Sequence, residues 1–246
     1  MILDNEINIA IKAAKSSGKL LLDSKSILNK ETSSSSKDVK LKADVSSESL
    51  IKEIITSSSE YPILAEESGK SQENLGDFFW VIDPLDGTAN YNRGIPMCCV
   101  SIGLIHNMKP VAGVIYDLYN DDLYVGNDEL KKATLNNEEI HVSNIDKINK
   151  GILITGLPHD TDYSDNALKE MLSDMQSWKK VRMIGSAALA SCYVACGKGD
   201  LYKENGIYLW DIVAGAAIVS SAGGSAKISN IRDNYQVDVV FSNSRI

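Results

Sequence analysis

The chain has 246 residues, with 25 Lys+Arg against 33 Asp+Glu and three His, giving a net charge of −8 and a pI near 5.0. Its 43% hydrophobic and 24% charged content is enough for a sizeable core, as one large domain or two small ones, and excludes disorder of the whole chain. The acidic balance argues against binding nucleic acid polymers and against docking on anionic membranes, both of which call for a Lys/Arg surplus; the whole excess lies in the first 140 residues.

Taken in chain order, Leu3, Ile7, Ile11, Ala14, Gly18 and Leu21 recur at helical spacing, with Lys12, Lys15 and Lys19 opposite, and predict an amphipathic first helix. Asp4 and Glu6 precede any apolar stretch, unlike a secretory leader, and no run approaches the roughly 18 apolar residues of a membrane span. Residues 30–42 (KETSSSSKDVKLK) turn polar and predict a mobile surface loop or hairpin tip. A second helix follows, with Leu50, Ile51, Ile54 and Ile55 on one face and Asp44 or Ser46 placed to cap it.

The middle reads as strands at 78–83, 98–105, 110–117 and 123–126, the last three spaced for an antiparallel meander. Beyond residue 140 strands and helices alternate: strand 151–155, helix 166–178, strand 181–184, helix 187–196, strand 200–202, helix 210–224, then short closing strands. The expectation is two halves packed on one another, an α+β half over 1–140 and an α/β half over 141–246. Cys98, Cys99, Cys192 and Cys196 stand in apolar segments at spacings unsuited to zinc, and read as core thiols of a protein in a reducing cytoplasm.

The most informative segment is WVIDPLDGTANY (80–91). An apolar strand delivers Asp83 into Pro84, and Asp86 and Gly87 follow, so two carboxylates can converge with the Leu85 carbonyl between them. Such an oxygen set suits a hard divalent cation. GTANY then begins a helical turn whose free N–H groups, with the Thr88 hydroxyl, suit an anion. The competing reading is a Pro–Gly turn whose Asp residues satisfy backbone donors. Taken one at a time, Glu66 or Glu67 at the end of strand YPILA (61–65) reads as solvated loop charge, Asp211 after Trp210 as an acid complementing a helix N-terminus, and Asp44 as a cap.

Together, WVIDPLDGTANY, LAEES, KADVSSE (42–48), RMIGSAALASCYVACGKGDLY (182–202) and KENGIYLWD (203–211) resemble the inositol monophosphatase family of Mg²⁺-dependent, lithium-sensitive phosphatases, nearly end to end. The resemblance implies an αβαβα layered sandwich, usually dimeric. It implies Glu66, Asp83, the Leu85 carbonyl, Asp86 and Asp211 as ligands of two or three Mg²⁺, with Glu67 supporting them without direct binding. Asp44 and Thr88 resemble the pair that orients and deprotonates the attacking water, beside a metal held by Glu66. Gly87 and Thr88 would contact phosphate, Asp86 would border the substrate, Gly185, Ser186 and Ala187 would form its wall, and Glu204 would bind substrate hydroxyls. The loop 31–43 would help close the site.

The reaction so implied is hydrolysis of a phosphate monoester by direct attack of water, without a phosphoenzyme. Aspartyl-phosphate phosphatases offer a rival through a strand-end DxDGT, but here the interval is DxxDGT with Pro84 inserted, and their N-terminal motif strand is missing. A catalytically silent metal-binding relative is a second rival, against which every expected ligand is present by type. His106, His141 and His159 are scattered and support no nucleophilic triad. GKGD (197–200) lacks the features of a phosphate-binding loop and reads as a turn, while GLPHDTD (156–162) reads either as a cleft loop or as a solvent turn. Glu204 and the GIYLWD spacing favour an inositol or similar polyol phosphate over fructose 1,6-bisphosphate, histidinol phosphate or 3′-phosphoadenosine 5′-phosphate.

Overall fold

The computed structural model describes residues 3–34, 39–157 and 161–246. In chain order the first part contains α1 (Asp4–Asp23), α2 (Lys25–Leu28), β1 (Glu31–Ser34), β2 (Val39–Leu41), α3 (Lys42–Thr56), β3 (Ile63–Ala65), β4 (Gly69–Lys70), β5 (Phe78–Asp86), α4 (Thr88–Arg93), β6 (Cys99–His106), β7 (Lys109–Asp117), β8 (Asp122–Asn127), β9 (Lys132–Leu135) and β10 (Glu138–Glu139). After a 3₁₀ turn (Ile148–Lys150) come β11 (Ile152–Thr155), α5 (Asp165–Ser177), β12 (Lys180–Arg182), α6 (Ala187–Ala195), β13 (Leu201–Tyr208), α7 (Leu209–Ser221), β14 (Ser225–Ser229) and β15 (Gln236–Ser242).

The eight-stranded sheet has the order β10-β9-β8-β7-β6-β5-β3-β4, antiparallel except where β3 runs parallel to β5. The five-stranded sheet has the order β12-β11-β13-β15-β14, with β11 parallel to both neighbours and the rest antiparallel. Strand β5 is buried on both faces, which is why it reads as a continuous apolar run. Its Trp80 and Ile82 join Ile7, Ala14, Leu21, Ile51 and Ile55 of α1 and α3, while Phe79 and Val81 join a second core built on α6 and α7. That second core also takes Tyr202, Val237, Val239 and Phe241 from the other sheet, whose outer face packs Leu153 and Leu201 against Trp178 and Met175. The layers are therefore α1/α3, large sheet, α6/α7, small sheet and α5: the αβαβα sandwich.

Helix α7 lies against the large sheet on glycine. Gly103, Gly113 and Gly126 stand opposite one another on β6, β7 and β8. A β-carbon on Gly126 would come within 2.6 Å of the Ile218 Cα, one on Gly103 within 2.5 Å of a Val213 methyl, and one on Gly113 would run into the Ala214 carbonyl. This shallow groove sets how deeply the helix settles.

Several boundaries differ from the sequence reading. Asp44 and Ser46 are not N-caps: α3 begins at Lys42, and Asp44 reaches back from inside the first turn, its Oδ2 accepting the Leu41 N–H at 2.8 Å. The strand expected at 200–202 continues to Tyr208, because β13 pairs along its length with β15 and absorbs a bulge between Asn205 and Ile207, where Gly206 has φ 80°. Helix α7 stops at Ser221 and β12 at Arg182, both short of the expected ends, while β5 runs past 83 to Asp86. The polar stretch 30–42 forms the β1–β2 ladder; the tip at 35–38, which includes half of the Ser run, lies outside the described residues. Cys98, Cys99 and Cys192 are buried and Cys196 half-buried, all as free thiols.

Replacing Gly113 by Val should destabilise the protein by about 1–3 kcal/mol through overpacking against α7. A urea midpoint equal to that of the parent would contradict the close approach.

Candidate active site

The local geometry of β5 brings its acids together. Between Asp83 and Asp86 the pairing slips, Asp83 standing opposite Ser101 and Asp86 opposite Cys99, so one extra residue is accommodated at Pro84–Leu85. In a regular strand residues three apart face opposite sides; the extra residue returns Asp86 to the side of Asp83 and turns Leu85 into the α1/α3 core. The Leu85 N–H donates to Asp83 Oδ1 at 2.9 Å and fixes the corner. Gly87 follows with φ 88°, its Cα packed so that a β-carbon would stand 2.6 Å from the Met97 carbonyl oxygen, and starts α4.

Donors far away in sequence hold the acids. Asp86 Oδ2 accepts from Ser186 Oγ at 2.5 Å and from the Ala188 N–H at 2.7 Å, both at the start of α6. Asp211, in the first turn of α7, accepts the Tyr208 N–H at 3.1 Å. Asp44 Oδ1 accepts from Thr88 Oγ1 at 2.8 Å, and that same hydroxyl lies 2.9 Å from the Leu85 carbonyl oxygen. Glu66, which follows β3, has one buried carboxylate oxygen without a hydrogen-bond partner.

The electrostatics of this arrangement are strained. Burial, reinforced by Asp86 and Asp211, pushes Asp83 well above the usual carboxylate range. Burial, with Asp83 and Asp44 nearby, does the same to Glu66, and burial with Asp86 and Glu66 does it to Asp211. Burial raises Asp44 to about 6 despite its hydrogen bonds, and raises Asp86 against those of Ser186 and Ala188. Among the described residues no lysine or arginine pairs with Glu66, Asp83, Asp86 or Asp211. Carboxylate oxygens of Asp44, Glu66 and Glu67 lie within 4.8 Å of one another, so Glu67 stands within ligand reach. Oxygen-only donors, an orphaned buried oxygen and missing counter-charge together fit a hard divalent cation.

The acids border a cavity of about 500 Å³. Glu66, Asp86 and Asp211 line it together with Gly185, Ser186, Ala187 and Glu204. Glu204 Oε2 accepts from the buried Tyr202 hydroxyl at 2.9 Å, and burial pushes this carboxyl up to about 7. Gly156 leaves it room, since a β-carbon there would sit 2.6 Å from Glu204 Oε2. Gly156 and Leu157 bring the start of GLPHDTD to the cavity; residues 158–160, His159 among them, lie outside the described residues. His106 stacks on Phe78 and His141 lies near Glu139, both away from the acids, and GKGD forms the turn between α6 and β13.

Sequence reasoning missed three contributors. Tyr202 was legible in principle, because it stands two residues before Glu204 on one strand face. Asn90, inside the WVIDPLDGTANY segment, donates its amide to the Met97 and Ile184 carbonyls at 2.8 Å each and ties the cavity wall to α4. Lys40 pairs with both oxygens of Glu67 at 3.1 Å, a contact no local pattern announces.

Comparison with known proteins places this geometry in a family. The model of the inositol monophosphatase family matches residues 2–236. An inositol-1-monophosphatase of Synechocystis sp. is 41% identical over 189 residues, covering 76% of this chain and 66% of that protein. The Nus factor SuhB of Xylella fastidiosa is 36% identical over 225 residues, covering 89% of this chain and 80% of that protein. The solved structure of an inositol monophosphatase from Anabaena (Nostoc) sp. superposes with a TM-score of 0.86 at 36% identity, covering 99% of this chain and 92% of that one.

The raised carboxyls carry a thermodynamic sign. With Asp44 and Glu204 at about 6 and 7 against ordinary values of 3.8 and 4.5, the folded protein keeps protons that the unfolded chain has released. Stability contributed by these groups is therefore full below the ordinary carboxylate range and falls as pH rises through the raised values. The metal-free protein should melt lower at about pH 8 than at about pH 5, and a divalent cation should restore more at the higher pH. A melting temperature insensitive to both would count against the cluster.

Proposed function

The chain belongs to the inositol monophosphatase family, metal-dependent phosphoric monoester hydrolases, and we propose that it hydrolyses inositol monophosphate or a similar polyol phosphate with Mg²⁺ as its metal. The observation that carries the substrate reading is Glu204, which accepts from Tyr202 and lines the same cavity as Glu66, Asp86 and Asp211, a position suited to binding the hydroxyls of a polyol. A cavity of about 500 Å³ is of the size that holds such a ligand.

Glu66, Asp83, Asp86, Asp211 and the Leu85 carbonyl are the groups assigned to hold the metal. When bound, Mg²⁺ would supply positive charge at the phosphoryl group and make a nearby water more acidic. The remaining work falls to side chains and amides of the chain. Thr88 orients the attacking water and, through its hydrogen bond to Asp44, hands the proton to that carboxylate. At about 6, Asp44 is a stronger base than an ordinary aspartate yet still mostly ionised at neutral pH. The Gly87 and Thr88 N–H groups steady the phosphate oxygens, and the Gly185–Ala187 wall and Glu204 orient the alcohol. Water adds to phosphorus as the P–O ester bond breaks; the departing oxygen takes a proton from solvent and Asp44 returns its own to solvent, yielding alcohol and inorganic phosphate with no phosphoenzyme.

Asp83→Asn should abolish Mg²⁺-dependent phosphate release, and Thr88→Ala should lower kcat by about 10²–10⁴-fold with little change in KM. Near-normal turnover by Asp83→Asn would refute the assignment. Tyr202→Phe leaves Glu204 without its donor. It should raise KM about threefold to tenfold for inositol monophosphate, and leave a phosphate ester without distal hydroxyls unaffected. Equal effects on both substrates would remove the specificity role of Glu204. Initial rates on inositol monophosphate, fructose 1,6-bisphosphate, histidinol phosphate and 3′-phosphoadenosine 5′-phosphate would rank the alternatives.

The Nus factor name of the Xylella relative supports a second reading, a role apart from catalysis. Asp83→Asn separates the two: a cellular phenotype restored by the inactive variant would belong to that role.

A further inference from the structure

The one cation paired with this acid cluster among the described residues is Lys40, and its position is built rather than incidental. Its backbone is fixed in the β1–β2 ladder opposite Ser33, and its carbonyl accepts from Thr32 Oγ1 at 3.1 Å. The next residue, Leu41, is the one whose N–H binds Asp44, so the strand that carries Lys40 is locked to the first turn of α3. Its Nζ lies 3.1 Å from both Oε1 and Oε2 of Glu67, and the Glu67 side chain is only 13% exposed. Glu67 is held from behind as well, its N–H donating to Glu48 Oε2 at 2.8 Å.

Glu67 is also one of three carboxylates whose oxygens lie within 4.8 Å of one another, the others being Asp44 and Glu66. A divalent ion shared by all three would need an oxygen that the Lys40 ammonium now holds, and would approach that positive charge closely. We infer that Lys40 is a resident cation of the site, which occupies Glu67 and so limits how many divalent ions the cluster takes, or how tightly it takes the last one. The inference rests on the proposed metal-dependent reading, and it concerns a residue outside the ligand set. Among the described residues Lys40 pairs with Glu67 and not with an assigned ligand, so it acts through Glu67.

Counting ions without substrate tests this. Mg²⁺ titrated calorimetrically, and Mn²⁺ counted by its electron paramagnetic resonance signal, would be compared among the parent, Lys40→Met, Lys40→Gln, Lys40→Arg and Glu67→Gln. Both neutral variants should bind one more ion, or bind the weakest ion about tenfold more tightly, as removal of a unit charge at contact distance implies. Lys40→Arg should match the parent, and in a Glu67→Gln background Lys40→Met should change nothing further. Equal counts and affinities in the parent and both neutral variants would overturn the inference, as would an undiminished effect in the Glu67→Gln background. No ion bound by any of the proteins would instead overturn the metal-dependent reading beneath it.

Discussion

The seating of α7 on glycine is the constraint from which the rest follows. Because Gly103, Gly113 and Gly126 remove three side chains from one stripe of the large sheet, the helix backbone settles almost onto the strands. The small sheet then packs on the other side of the same helix, so one close approach fixes the separation of both sheets. It also fixes the chemistry, since the first turn of α7 carries Trp210 and Asp211 into the cavity where β5 ends. Asp211 is thereby set beside Asp83 and Asp86 at the end of β5, close enough for each to raise the other's affinity for protons or share a hydrogen bond.

That geometry concentrates charge in a place that resists it. Carboxylates brought out of water without counter-ions are costly, and the raised affinities of Glu66, Asp83 and Asp211 for protons have that burial as their first cause. The fold offsets part of it with fixed donors: the start of α6 for Asp86, the Tyr208 amide for Asp211, the Leu41 amide and Thr88 for Asp44. Glu66 receives less, and retains an oxygen with no partner. The donors hold the acids in place while leaving lone pairs over for a cation, a division that a fully satisfied network would not permit.

Much of this is legible in the sequence because the deciding signals are local. The apolar run into Asp83, the Pro–Leu–Asp–Gly corner and the acid after Trp210 each sit at an element boundary that periodicity can locate. Other features are not local and leave little trace. The extension of β13 to Tyr208 depends on pairing with β15, some thirty residues on, and its Lys203, Glu204 and Asn205 read as loop until that partner is known. Asp44 looks like a cap because caps and first-turn acids share residue types, and only the Leu41 N–H distinguishes them. Asn90 and Lys40 reach across space to groups whose positions no spacing rule encodes.

The bonds to Asp86 span an unusual distance along the chain: its partners Ser186 and Ala188 are 100 and 102 residues downstream. During synthesis at about 10 residues per second, that carboxylate waits on the order of 10 seconds for the groups that anchor it. The first sheet and its two covering helices can form in that interval, but their α7-facing surface has no cover until α6 and α7 emerge. A chain that ends before residue 187 therefore lacks both the cover of that sheet face and the anchors of the acid corner. The same helix, α6, thus supplies the anchors of Asp86 and part of the cover of that face, so completing the site and burying the face draw on one segment of the chain.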